Sequence, residues 1–126
     1  MRLEHANITV ENVDRSTEFY GRLFNFKVRW EGEASGTTGP VRAVHLGTEN
    51  TYLSLFEADK PNAGKADYGV PGVNHIGFEV ESLDPYRARL EELGTEIHFE
   101  PEYDPGRRIY FFDPDGVEIE LVEYDH

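Results

Sequence analysis

Two stretches of the chain are loose copies of one another, "LEHANITVENVD" at residues 3–14 and "VNHIGFEVESLD" at 73–84, and each carries a histidine in its third position, His5 and His75. A third residue of ligating type, Glu120, stands in "VEIELVE" near the end of the sequence. Two imidazoles and one carboxylate suit divalent Mn, Fe, Ni, Co or Zn, and a set of three leaves coordination positions open for water and substrate. That openness is what a catalytic metal requires. The spacings, 70 residues from His5 to His75 and 45 from His75 to Glu120 (75 − 5 and 120 − 75), supply no local geometry of their own. Read one at a time, strand histidines are more often hydrogen-bonded core or surface residues than ligands, and Glu120 fits one more solvated charge beside Glu118 and Glu123. Only the architecture can join them.

The repeat indicates that architecture. At an offset of 70, Val10 meets Val80, Glu11 meets Glu81 and Asp14 meets Asp84. In the first copy Ala6, Ile8 and Val10 alternate with His5, Asn7 and Thr9; in the second, Ile76, Phe78 and Val80 alternate with His75, Gly77 and Glu79. This is the pattern of strands with one apolar face, and it sets both histidines on the other face. Helix starts follow, with Asp14 as N-cap of "RSTEFYGRLF" and Asp84 before Pro85 at the first helical position. Phe19 with Leu23 and Tyr20 with Phe24 form the stripe of the first helix; Tyr86, Leu90 and Leu93 form that of the second, which Gly94 closes. The helices then cover the aliphatic strand faces and leave the histidine faces open.

Three further strands are expected in each half, about 26–32, 41–48 and 51–57, then about 95–99, 107–112 and 117–123. At an offset of 66, "ENTYLSLFE" (49–57) aligns with "DPDGVEIELVE" (113–123), pairing Ser54 with Glu120 and Glu57 with Glu123. The plan is βαβββ written twice. It predicts one α+β domain over 1–126, with a first module at about 1–57, a linker at about 58–72 and a second module at about 73–126. The two modules would form a curved, barrel-like mixed sheet, helices outside, around a central metal and substrate cavity. Residues 32–40, "GEASGTTGP", read as a glycine-rich loop and a potential lid. They lack the strand-to-helix junction and Lys-Ser/Thr ending of a phosphate cradle. His45 has the parity to face the cavity, but at an offset of 66 its mirror is Phe111, which points to packing; His126 is the terminal residue and is expected to be disordered.

Composition narrows the function. With 38% hydrophobic and 13% aromatic residues the 126-residue chain can build a packed core. It has no cysteine, which removes thiolate ligands, thiolate nucleophiles and disulfides. A net charge of −13, from 25 acidic against 12 basic side chains, repels nucleic acid and anionic membrane, so neither is an expected partner. The scattered acids and the low lysine content (Lys27, Lys60 and Lys65) suggest a surface adapted to high salt. No apolar run reaches membrane-helix length and no signal-peptide order opens the chain, so a cytoplasmic location is expected.

The doubled plan, together with "FYGRLFNFKV", "NHIGFEV" and "YFFDPDGVEIELVE", resembles the vicinal oxygen chelate superfamily over nearly the whole chain. That group includes glyoxalase I, extradiol dioxygenases, fosfomycin-resistance thiol transferases, methylmalonyl-CoA epimerase and bleomycin-binding proteins. The resemblance implies metal ligands at the first and last strand of each module, that is at His5, Ser54, His75 and Glu120. Glyoxalase I and the epimerase usually carry Glu or Gln where Ser54 stands. The remaining His-His-Glu set is similar to that of the extradiol dioxygenases and fosfomycin-resistance transferases, which implies Fe(II) or Mn(II).

By the same resemblance Tyr110 matches a tyrosine near the substrate, and homodimers are common. The histidine acid-base that dioxygenases place shortly before this tyrosine is not found in "PEYDP" (101–105), where Tyr103 or nearby His98 would have to substitute. Asn7 replaces the threonine expected of a fosfomycin transferase. The implied function is a metalloenzyme, lactoylglutathione lyase-like or extradiol dioxygenase-like, in which His5, His75 and Glu120 hold the ion that chelates an oxygenated small molecule and Tyr110 orients or protonates it. The competing expectation is a metal-free binding protein of the bleomycin-resistance type that stacks its ligand on Trp30, Tyr52 and Tyr110.

Overall fold

In the computed structural model, residues 1–125 are described, apart from the side chain of Tyr103; His126 lies outside the described residues. The chain divides into two compact units, Met1–Ala63 and Gly64–His126, with the boundary inside the stretch read as a linker. No helix among the described residues is long and apolar enough to cross a membrane.

The first unit contains β1 (His5–Val10), α1 (Val13–Phe24), β2 (Lys27–Ser35), β3 (Pro40–Gly47) and β4 (Tyr52–Glu57). The second contains β5 (His75–Glu79), α2 (Asp84–Glu92), β6 (Glu102–Tyr103), β7 (Gly106–Phe112) and β8 (Glu118–Tyr124). Each is the βαβββ module expected from the repeat. Their four-stranded sheets are open and have the same order, β1-β4-β3-β2 and β5-β8-β7-β6, with the first strand parallel to the last and the other pairings antiparallel.

The alternating residues sort as their chemistry requires. In the first unit Ile8, Val10, Val44, Leu46, Leu53 and Leu55 are buried, along with Phe19, Tyr20 and Leu23 of α1. In the second, Ile109, Phe111, Ile119 and Leu121 are buried with Leu83 and Leu90. Burying each aliphatic side chain of this kind contributes about 1.5–3 kcal/mol. Of the stripe expected on α2 only Leu90 is fully buried.

The repeat also explains Glu57 and Glu123. Because each final strand runs parallel to the first, its end lies beside the start of that unit's helix. There Glu57 Oε2 accepts from Val13 N at 3.0 Å and Glu123 Oε2 from Leu83 N at 3.4 Å. Each carboxylate thus satisfies an otherwise orphaned amide at the positive end of a helix.

Four expectations are corrected. The N-cap of α1 is Asn12, whose Oδ1 accepts from Arg15 N at 3.0 Å; Asp14 lies within the first turn and pairs with Arg42 instead. For α2, Asp84 is already helical and Leu83 occupies the cap. The strand expected at 95–99 is reduced to a bridge between Phe99 and Tyr110, and Pro101, which has no amide for the ladder, separates that bridge from the two-residue β6. The 32–40 loop is a hairpin tip rather than a lid: β2 continues to Ser35 and β3 begins at Pro40. Its Thr37 and Thr38 donate backbone and side-chain hydrogen bonds of 2.7–3.3 Å to the Asp59 carboxylate. Those bonds, led by the Thr37 hydroxyl, hold the Asp59 carboxyl below its ordinary range.

Candidate metal centre

The turn between β7 and β8 sets the register of the second unit's site. Asp113 Oδ1 accepts from Asp115 N and Val117 N, both at 2.9 Å, while Asp113 N donates to Val117 O at 2.8 Å. Gly116 closes the turn at φ 84°, a left-handed conformation that glycine adopts at no steric cost. In the resulting register Tyr110 lies opposite Glu120, Arg108 opposite Val122 and Gly77 beside Glu120. Directly paired residues share a sheet face, so His75, Tyr110, Arg108 and Glu120 all rise from the side opposite the apolar core.

Glu120 is the hub of this face. Its side chain is 13% exposed, and its two oxygens have different partners. Oε2 accepts from Arg108 Nε at 3.0 Å; Oε1 accepts from the Tyr110 hydroxyl at 2.8 Å and lies 3.1 Å from His75 Nε2. The other nitrogen of His75, Nδ1, lies 2.7 Å from Asn74 Oδ1 and 3.2 Å from the Tyr68 hydroxyl. Tyr68 in turn donates to Glu118. Burial and this bond to Glu118 push the Tyr68 hydroxyl up to about 12. More than half of the residue is exposed, but the hydroxyl is the engaged part.

These contacts assign the His75 tautomer. Asn74 Oδ1 can only accept, and the Tyr68 proton is given to Glu118, so Nδ1 is the protonated nitrogen. In the neutral ring, Nε2 is then a lone pair aimed at a carboxylate oxygen 3.1 Å away. Two acceptors at that distance repel unless positive charge lies between them. A proton meets the need, and so does a metal cation: adjacent ligands of a six-coordinate ion with bonds of about 2.1 Å lie about 3.0 Å apart. The donor set and its spacing fit a divalent ion at two of its positions.

His5 occupies the equivalent place on the open face of the first unit. Its Nδ1 lies 3.0 Å from Glu4 Oε1, so in both units the residue before the histidine holds Nδ1 with a side-chain oxygen and presents Nε2. The ring stacks on Tyr52 at 4.7 Å between centroids. His45 packs against both Tyr52 and Trp30, at 4.8 and 4.9 Å, and Arg29 lies 4.4 Å over the Tyr52 ring. Ser54, at the position matching Glu120, is buried.

The reading of His45 as a packing residue mirrored by Phe111 is corrected by the register. His45 pairs with Ser54 as Tyr110 pairs with Glu120, so its counterpart is Tyr110 and it belongs to the open face. Burial, then the neighbouring His5, holds its pKa below the ordinary histidine value.

The second unit therefore brings together three of the four residues singled out from sequence, His75, Glu120 and Tyr110, while His5 stands on the first. Among the described residues no group of three or more His, Cys, Asp or Glu side chains gathers closely enough to hold an ion. Sequence reasoning missed Arg108 and Tyr68. Arg108 had a signal, since it is two residues before Tyr110 and hence on the same face of β7. Tyr68 had none, because it stands outside any periodic element. His98, considered as an acid-base, sets Nε2 3.1 Å from Glu118 Oε2 and stacks on Phe112.

A family model for the Glyoxalase/Bleomycin resistance protein/Dioxygenase superfamily matches residues 2–121. The chain belongs to this superfamily. Among curated relatives, the Bacillus subtilis protein YwkD, described as uncharacterized, is 31% identical over 96% of this chain and 95% of its own. A glyoxylase/bleomycin resistance protein/dioxygenase domain from Frankia sp. EAN1pec superposes with a TM-score of 0.84 at 24% identity, covering 99% of this chain and 98% of that one, a likeness of fold. A variant of the fosfomycin resistance protein FosX from Listeria monocytogenes, in complex with Mn(II) and 1S,2S-dihydroxypropylphosphonic acid, is similar at a TM-score of 0.74 and 25% identity, over 95% of this chain and 90% of that one.

Proposed function

We infer that the protein is a divalent-metal enzyme of the glyoxalase superfamily acting on a small oxygenated molecule, with His75, Glu120 and His5 as ligands and Mn(II) or Fe(II) as the favoured ion. The observation that carries this reading is the 3.1 Å gap between His75 Nε2 and Glu120 Oε1, two lone-pair donors whose other atoms are already committed. The Mn(II) held by the FosX relative supports it by analogy. His5 is proposed as the third donor because Glu4 orients it as Asn74 orients His75. It is supplied by the same chain or, in a homodimer of the kind common in the superfamily, by a second copy.

When bound, such an ion supplies Lewis acidity that stabilises negative charge on substrate oxygens. The chain's own residues do the rest. Arg108 occupies Glu120 Oε2 and thereby leaves Oε1 as the single donor oxygen. Tyr110 holds a proton 2.8 Å from that oxygen and can turn it toward a substrate oxygen, to orient or protonate it. Whether the reaction is of lyase or dioxygenase type depends on the substrate. Addition of Mn(II) at about 100 times its Kd raises stability by about 2.7 kcal/mol if only the folded protein binds it. We expect a matching rise in melting temperature for the wild type and none for His75→Ala; no rise in the wild type, or equal rises in both, would count against the metal.

A second reading, a small-molecule binding protein, is favoured by one observation. Trp30, His45, Tyr52 and His5 form a continuous aromatic run on the open face of the first unit, and Trp30 is 44% exposed. An aromatic ligand that quenches Trp30 fluorescence equally with and without metal would support binding over catalysis.

A further inference from the structure

The second unit contains a second carboxylate centre, two strand positions before Glu120 and therefore turned to the same face. Glu118 is opposite Phe112 and beside His75, and its side chain is 12% exposed. Its Oε2 takes the His98 Nε2 contact at 3.1 Å and its Oε1 takes the Tyr68 hydroxyl. The Tyr68 oxygen, having given its proton to Glu118, offers a lone pair to His75 Nδ1 at 3.2 Å. A continuous path, His98 to Glu118 to Tyr68 to His75, therefore ends on the nitrogen opposite the one that faces Glu120.

Tyr68 is held for this purpose by its own segment. Asp67 makes a turn in which its Oδ1 accepts from Gly69 N at 2.8 Å and its carbonyl from Val70 N at 3.1 Å. Lys65 anchors the preceding residues by setting Nζ 3.8 Å from the centre of the Phe112 ring. Tyr68 and His75 also have nearly parallel rings, at 5°. The segment thus folds back onto the open face of its own sheet and delivers one hydroxyl to one imidazole.

We propose that Tyr68 and Glu118 are positioning residues for His75: Glu118 accepts a hydrogen bond from the Tyr68 hydroxyl, the tyrosine oxygen so oriented accepts one from the imidazole Nδ1–H, and the ring is thereby fixed with Nε2 as the donor toward a cation. The proposal rests on the metal reading above for its consequence, but not for its geometry. Partners that hold the outer nitrogen of a ligating histidine raise its basicity and fix its orientation, and losing one costs about 10–100-fold in metal affinity. Asn74 remains on Nδ1 in either variant, which places the expected loss at the lower end.

The test uses the full chain with Tyr68→Phe, Glu118→Gln and the double variant, and two readouts. In metal-free protein, the ¹⁵N resonance of His75 Nδ1 should move in both single variants. With Mn(II) as the probe, calorimetric titration should show about tenfold weaker binding in each. The double variant should be no weaker than either single one, because both act through one path. Losses that multiply, or an Nδ1 resonance unmoved in both variants, would overturn the proposal. A wild type that takes up no Mn(II) would defeat the metal reading alone, since the metal-free resonance still decides whether Tyr68 and Glu118 position the ring. The metal-free melting temperature of each variant confirms that the fold is retained.

Discussion

Replacing Arg108 by methionine should make the protein less stable and, at the same time, a better binder of cations. The guanidinium bonds Glu120 Oε2 at 3.0 Å, and the two side chains are only 10% and 13% exposed. Removing one partner of a fully buried pair costs about 3–5 kcal/mol, because the other charge is left uncompensated. Here the residual exposure and the Tyr110 hydroxyl, 2.8 Å from the same carboxylate, relieve part of that, which leaves about 2–3 kcal/mol. At about 4 °C per kcal/mol for a chain of this size, the melting temperature should fall by about 8–12 °C. The effect on a cation has the opposite sign. At an effective dielectric of about 20, a positive charge about 6 Å from a divalent cation opposes binding by about 5–6 kcal/mol before screening, so its removal should tighten Mn(II) binding at least tenfold even after screening. Differential scanning fluorimetry and calorimetric titration on the same preparation read both quantities. Weaker Mn(II) binding in the less stable variant would refute this reasoning and make Arg108 an orienter of Glu120 rather than a competing charge.

Other consequences follow from the turns and the charge. Asp113→Ala removes the acceptor of two amides in the turn that sets Glu120 opposite Tyr110 and should cost about 1–3 kcal/mol, read by urea unfolding; an unchanged midpoint would show that the turn does not need the carboxylate. Asp59, bonded by Thr37 and Thr38, and Asp14, paired with Arg42, both have carboxyls held below their ordinary value of 3.8. Their stabilisation is therefore present above that value and lost as pH falls through the depressed ones. Melting temperature should fall as pH drops through 3.8 and below, less steeply in Asp59→Asn, and equal slopes would contradict the assignment. With a net charge of −13, raising NaCl from about 0.05 to 1 M shortens the screening length from more than 10 Å to about 3 Å and should raise the melting temperature. A flat response would remove the case for a salt-adapted surface.

Much of this could be read from sequence because the module is written twice and its strands alternate cleanly. Ile8 and Val10, or Ile119 and Leu121, declare a buried face by period alone, and the paired histidines fall on the other one. Misreadings arose where a residue had a tertiary purpose. Gly32 looks like loop, but it lies in β2 beneath the Trp30 indole, where an added Cβ would meet the ring at 2.4 Å. Asn12 and Asp14 are both capping types two positions apart, and only the backbone decides between them. A single offset of 66 sets His45 against Phe111 because the β7–β8 turn is one residue longer than the β3–β4 turn: Ser54 is nine positions after His45, Glu120 ten after Tyr110. Glu118 shares the face of Glu120 by period, two residues before it, but Tyr68 could not be found by pattern, since a hydroxyl delivered by a turn to a neighbouring strand leaves no periodic trace.

The space between His75 Nε2 and Glu120 Oε1 is the proposed cation position on which the metal chemistry rests. Crystals grown with Mn(II), with diffraction recorded on both sides of the manganese absorption edge, test it directly. The predicted result is an anomalous peak within about 2.3 Å of both atoms. A peak elsewhere with the His75–Glu120 hydrogen bond intact, or no peak at a Mn(II) concentration that saturates the protein in solution, would contradict it.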